Sequence, residues 1–382
     1  MMPLLQRVFG AAGETYALNI AQIMHMLILA GFVPWYIGLE AYGFFAAMIA
    51  MPGVVQSSFE AFSVAVLARY GRRDMLTASI HFVIVPIGLI FSLIFFIFFD
   101  TFIAFLASAM TFLLFLRSYA FSIAVSSGIL TRKIVQSEGI ILIVYVAVIL
   151  ICAGFGLNDK ALPMLMVSIA SLISAWYLLR TSHTTISLLP ARVDKDKPRL
   201  PFGFAARAAS GRIFEDGLLS LSPLILATFI SPVVAGQFRI VVSAVKAAYK
   251  LFPFRYEVTL RDVATGRLGF FPLVMASTIF TVGFLLIAIV AYIVLRPEGF
   301  GWILVLVGSA GATVSSLSLF PAICSIDRHL LFICIGALFT MFALTSLYGI
   351  IGFAIGFSLV SYAVMIRSLI AVYYQTLGGG TS

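Results

Sequence analysis

Residues 235–262 read AGQFRIVVSAVKAAYKLFPFRYEVTLRD. The stretch is mostly apolar and long enough to cross a bilayer, yet it carries Arg239, Lys246 and Lys250 inside the apolar run. At about 100° per residue, Ser243, Lys246, Lys250 and Glu257 all fall within about 40° of Arg239. One narrow stripe is cationic, and the other faces are built from Val, Ala, Ile, Leu and Phe. A lysine or arginine near a helix centre costs roughly 2.5–3.5 kcal/mol on an insertion scale, so three facing lipid would cost about 8–10 kcal/mol. That penalty is bearable where the stripe faces a wet cavity or a partner charge, and a cationic stripe in a wet cavity receives an anion. Two plainer readings stand beside this one. The helix lies flat at the membrane surface with its lysines outward, or the lysines snorkel to the headgroups from near the helix ends. Against both, Lys246 sits about ten residues from either end of the run, roughly 15 Å from each surface at about 1.5 Å per residue.

The composition agrees with a membrane setting. Of 382 residues, 62% are hydrophobic and 10% charged, with a mean hydropathy of +1.13, whereas a soluble domain is about 25% charged. Continuous apolar runs of about twenty residues call for helices and exclude a β-barrel. The net charge of +9 is no nucleic-acid signal, because the basic residues are scattered through short connections and a few helices. Cys152, Cys324 and Cys334 lie in apolar runs without metal spacing, so neither a disulfide framework nor a metal site is expected. The opening MMPLLQRVFGAAGE lacks the pattern of a cleaved signal and leads into a full-length span, which is expected to stay in place.

Apolar periodicity predicts twelve spans, near 16–37, 42–68, 77–99, 102–128, 135–156, 161–180, 205–230, 235–260, 270–295, 299–324, 329–349 and 351–374. The longest connection, 181–202, is polar, contains Pro190, Pro198 and Pro201, and divides the spans six and six. The expected organisation is an N-terminal lobe at 1–180, a linker at 181–202 and a C-terminal lobe at 203–382. Outside the spans nearly all lysines and arginines fall on the side of the N-terminus. Only Lys160 and Arg296 fall on the other, which places both termini in the cytoplasm.

The halves resemble each other. Ile28-Leu-Ala-Gly-Phe-Val ends the first span and Ile225-Leu-Ala-Thr-Phe-Ile the seventh. A short turn follows each, then Ala41-Tyr-Gly-Phe-Phe and Ala235-Gly-Gln-Phe-Arg. The next helix ends at a basic turn in both cases, Arg69-Tyr-Gly-Arg-Arg and Arg261-Asp-Val-Ala-Thr-Gly-Arg. Six spans per half is an even number, so the halves enter the bilayer in the same sense. The expected fold is all-α, with about twelve transmembrane helices in two six-helix lobes. A parallel pseudo-two-fold along the membrane normal relates the lobes around a central cavity.

On IGLEAYGFF at 37–45, its half-repeat SPVVAGQFR at 231–239 and the six-plus-six plan, the chain resembles the polysaccharide, or O-antigen, flippases. These belong to the multidrug/oligosaccharidyl-lipid/polysaccharide exporter superfamily. The resemblance covers the whole chain in architecture and residues 13–74 and 203–267 in sequence. It implies a monomeric carrier of the bacterial cytoplasmic membrane whose lobes rock between inward-open and outward-open states. The implied cargo is a lipid-linked saccharide on a polyprenyl diphosphate, and the implied neighbours are membrane lipids and other glycan-assembly proteins.

Ionisable residues inside spans are functional candidates because their desolvation is costly. The candidate substrate residues are Arg239, Lys246, Lys250, Arg117 and Arg367. Arg117 lies mid-span beside a weak polar stripe of Thr111, Ser118, Ser122 and Ser126. Glu60 shares a helix face with Gln56 and Ser63 and has two readings. It either staples the lobes by pairing with Arg117 or a lysine of 235–262, or exchanges an ion as the cavity opens, coupling transport to a proton or sodium gradient. Asn19, Gln22 and His25 fall on one side of the first span. With Gln56 and Ser243 they are candidates for lining the cavity, although for the first three packing between helices is the favoured account of such polar residues. Counting Glu60 as the one clear mid-span acid, interior cations outnumber interior acids. No phosphate-binding glycine loop, metal triad or nucleophile–base pair is present, so neither a cofactor nor catalysis is expected. The rival functions are a multidrug cation antiporter of the same fold, which needs cavity acids, and a membrane-embedded glycosyltransferase or polymerase, which needs a larger outer loop or an acidic pair.

Overall fold

The computed structural model describes residues 17–56, 59, 85–126, 131–156, 161–181, 219–249, 279, 282–283 and 330–377. Among these, every assigned element is helical. The elements are α1 (Ala17–Ile37), α2 (Leu39–Met48), α3 (Ala50–Gln56), α4 (Val85–Phe98), α5 (Thr101–Ser126), α6 (Thr131–Gly154), α7 (Ala161–Thr181), α8 (Leu219–Phe229), α9 (Pro232–Tyr249) and α10 (Leu330–Leu377). Five of the described helices are long and apolar enough to cross a membrane, or six if the bent pair α2–α3 counts as one span. The chain is a multi-pass membrane protein. Residues 182–202 of the linker, Glu60, Lys250, most of the ninth expected span and all of the tenth lie outside the described residues.

The breaks in these helices have local causes. α1 loosens into a π-helical segment at Ile28–Phe32, immediately before Pro34. It ends at Gly38, whose φ of 87° and ψ of 155° suit a residue without a Cβ. The second span bends by 41° between α2 and α3. Pro52 accounts for this: it has no N–H for the carbonyl of Met48, and its ring crowds that carbonyl. α9 starts cleanly because Ser231 caps it, accepting a bond from the Val234 N–H at 3.3 Å, and Pro232 occupies the first turn. α10 reverses at Gly349, where φ is 60° and ψ −135°. A Cβ on Gly356 would lie 2.8 Å from the Cα of Met341. Fifteen residues of straight helix would hold those positions about 22 Å apart, so α10 is a helical hairpin. It supplies the eleventh and twelfth spans where the sequence predicts them.

The N-terminal helices pack around one apolar core built from Tyr42, Phe45, Met110, Ile141, Tyr145, Met164 and their neighbours. α5 lies between α4 and α7, and α7 also packs on α6. On the other side, Phe238 of α9 meets Phe353 and Phe357 of α10 edge-on, with ring centroids 5.4 and 5.3 Å apart. α9 lies against α2 and the π segment of α1. It is therefore a helix through which the C-terminal half touches the N-terminal half.

Candidate functional site

The position of the cationic stripe follows from which faces of α9 are already occupied. Gly236, three residues before Arg239, falls about 60° to one side of it, and Val242, three residues after, about 60° to the other. On the Gly236 side lies α2. A Cβ on Gly236 would stand 2.8 Å from the Leu39 carbonyl oxygen and 3.4 Å from the Cα of Gly43, and a Cβ on Gly43 would overlap the carbonyl oxygen of Pro232. Ile240, further round that side, packs against the N-terminal core. On the Val242 side, Phe238, Val242 and Val245 are buried, Phe238 against α10. The stripe of Arg239, Ser243 and Lys246 thus lies between a seam to one half and a seam to the other, and all three side chains are half-buried. Lys246 stands two turns below Arg239, about 10 Å along the axis.

Arg239 lies near the Tyr42 phenol of α2, close enough for its charge to act on it. Tyr42 is fully buried. No carboxylate pairs with Arg239 among the described residues. Arg367, near the end of α10, is half-buried. Gln56 closes α3 and is half-buried.

The second polar centre lies inside the N-terminal half and turns on an acid that sequence reasoning passed over. Glu138 of α6 is 2% exposed. Its Oε1 accepts a bond from Arg117 of α5 at 2.7 Å. His25 of α1 brackets the same residue, with Nδ1 3.1 Å from Oε2 and Nε2 3.1 Å from the main-chain oxygen. The Nδ1 approach has ion-pair distance but not hydrogen-bond direction, so Oε2 accepts no formed hydrogen bond. Tyr145, two turns along α6, places its ring 5.6 Å from that of His25. The buried Asn19 Nδ2 and the Ser118 and Ser122 hydroxyls lack hydrogen-bond partners.

This corrects two expectations. Glu60 is not the one interior acid, since Glu138 is buried among α1, α5 and α6. Arg117, read as a substrate residue or as the partner of Glu60, is held by Glu138 of its own half. His25 joins that pair, whereas Gln22 beside it is half-buried. The signal for Glu138 was present: Ser137-Glu138 opens an apolar run, and Tyr145 follows on the same face. Chemically the cluster combines one anion, one fixed cation and one imidazole that takes up or releases a proton. Among the described residues no cluster of three or more metal-ligating side chains exists.

No protein-family model matches the chain, and no curated protein matches it. Solved structures do. The MATE transporter VcmN of Vibrio cholerae, in its bent form, superposes with a TM-score of 0.56 at 14% identity, over 96% of this chain and 98% of that one. The eukaryotic MATE transporter AtDTX14 gives 0.54 at 15% identity over 97% and 96%. The MATE multidrug transporter DinF-BH, solved as a complex, gives 0.54 at 14% identity over 96% and 95%. The fold is therefore that of the MATE transporters: all-α, two six-helix lobes around a central cavity.

Proposed function

We propose that this chain is a membrane carrier that flips an anionic, lipid-linked saccharide by alternating access, as a flippase of the polysaccharide-exporter kind. The observation that carries the reading is Arg239. It lies between the seams to the two halves and is matched by a phenol, with no carboxylate beside it among the described residues. A guanidinium grips diphosphate or carboxylate with paired donors, and Lys246 adds a point charge about two turns away. Lys250 extends the stripe in sequence. On this reading the headgroup passes between lobes 1–180 and 203–382 while the lipid tail stays in the bilayer. The membrane is the bacterial cytoplasmic membrane, with both termini inside.

The Glu138–Arg117–His25 cluster offers a coupling element in place of, or together with, Glu60. Proton exchange at His25 changes the charge beside a buried carboxylate whose second oxygen has no formed hydrogen bond. Coupling to a proton gradient then needs no cofactor.

A second reading, a multidrug exporter, draws support from the shared fold with DinF-BH, a multidrug transporter by name. Charge speaks against it. The one interior acid among the described residues is already paired with Arg117, so little negative charge remains to draw a cation.

The test is glycan export in cells. A hydrogen bond to a charged group contributes about 1.5–3 kcal/mol, so Arg239→Ala lowers export by roughly ten- to a hundredfold at unchanged protein level. Lys246→Ala lowers it less. Full export by both variants, or drug resistance that tracks expression of the wild type, would favour the exporter reading.

A further inference from the structure

The crossing of α2 and α9 has almost no clearance. Gly43 faces the Pro232 carbonyl and Gly236 faces the backbone of Leu39 and Gly43. Without side chains there, the two helices gain close van der Waals contact and no directional bond. Beside the crossing, Arg239 on one helix lies near the Tyr42 phenol on the other. Tyr42 is 1% exposed, so its hydroxyl has little access to water if Arg239 leaves.

We propose that Arg239 and Tyr42 form a latch across the α2–α9 crossing, and that an anion arriving in the cavity opens it by taking the guanidinium from the phenol. This rests on the anionic-cargo reading above and adds how the cargo is sensed. The competition favours the anion. A phenol offers one neutral oxygen, whereas a diphosphate or carboxylate offers paired charged oxygens that match the guanidinium fork. Once Arg239 turns to the anion, the closed seam loses the polar contact between the two helices and gains nothing in its place. The anion therefore binds the open arrangement better than the closed one, which is the condition for a ligand to shift the equilibrium. An empty carrier keeps the seam shut. Tyr42 acts as a positioning residue that holds Arg239 in register with the cavity until cargo arrives.

Glu40 near the start of α2 and Val233 near the start of α9 are both exposed and flank the crossing. Cysteines at these two positions, in a chain with Cys152, Cys324 and Cys334 replaced by alanine, carry spin labels for distance measurement in liposomes. Inorganic pyrophosphate serves as the probe anion. The expected result is a short distance without pyrophosphate and a severalfold larger long-distance population with it. Tyr42→Phe shows the long distance without any anion. Arg239→Ala, which also lacks the contact, shows the long distance with or without pyrophosphate. If Tyr42→Phe keeps the short distance, the latch is wrong, whatever pyrophosphate does. If pyrophosphate binds the wild type by calorimetry and leaves the distance unchanged, the latch again fails while the anion site stands. If pyrophosphate does not bind at all, the latch and the anionic-cargo reading fall together.

Discussion

Replacing Glu138 with alanine is expected to destabilise the protein by about 3 kcal/mol. Removing one partner of a buried pair leaves the other charge uncompensated, at a cost of roughly 3–5 kcal/mol. The Arg117 side chain is 24% exposed and Glu138 2%, so water still reaches the arginine and the lower end applies. The change also strips His25 of its carboxylate contact. Arg117→Ala should cost at least as much, because the stranded group is then a carboxylate deeper in the protein. The double variant Glu138→Gln, Arg117→Gln should recover much of the loss, since two neutral amides can bond to each other in the same space. Thermal unfolding in detergent of the wild type, Glu138→Gln, Arg117→Gln and the double Gln variant, read as a double-mutant cycle, measures this. Additive losses would mean that the 2.7 Å contact contributes no coupling.

The second large effect belongs to the α2–α9 crossing. Gly43→Leu places a side chain where a Cβ already overlaps the Pro232 carbonyl oxygen. The obstacle is backbone, which cannot swing aside as the end of a side chain can. Overpacking of this kind costs about 1–3 kcal/mol, and the cheapest relief is separation of the two helices. Export should fall at least about tenfold, as expected when a carrier loses one of its two states by more than about 1.4 kcal/mol. Spin labels at positions 40 and 233 should report the long distance with or without anion. Gly53→Leu is the control on the neighbouring helix, because nothing lies within 4 Å of a Cβ there. Normal export by Gly43→Leu would show that the crossing does not need to close.

The membrane class, the all-helical fold and the hairpin at Gly349 were legible because they follow from local properties: apolar run length and a glycine between two runs. The cationic face at Arg239, Ser243 and Lys246 was legible for the same reason, as helical spacing alone puts these residues on one stripe. What surrounds that stripe was not. Gly43 and Gly236 lie in the two stretches that make the halves look alike, yet nothing in either stretch says that they touch each other. Arg117 was read as a substrate residue or as a partner for Glu60 because nothing in its own helix points to Glu138 on another. Glu138 was overlooked because it follows Arg132 and Lys133 at a span entrance, where an acid reads as headgroup-level. Its burial is decided by how α1, α5 and α6 pack. The bend at Ile49 was signalled by Pro52, but the apolar run continues through it.

Ser243 stands on the stripe between Arg239 and Lys246, which makes it the place to ask what the stripe faces. The measurement is the rate at which Ser243→Cys, in the chain lacking its native cysteines, reacts with anionic and cationic thiol reagents of equal size. A wet, cationic cavity predicts reaction with both, faster for the anion by about tenfold at low salt, with the preference shrinking as salt screens it. It also predicts protection by pyrophosphate, lost in Arg239→Ala. No reaction with either charged reagent, or a faster reaction with the cation, would contradict an anion-receiving cavity between the lobes.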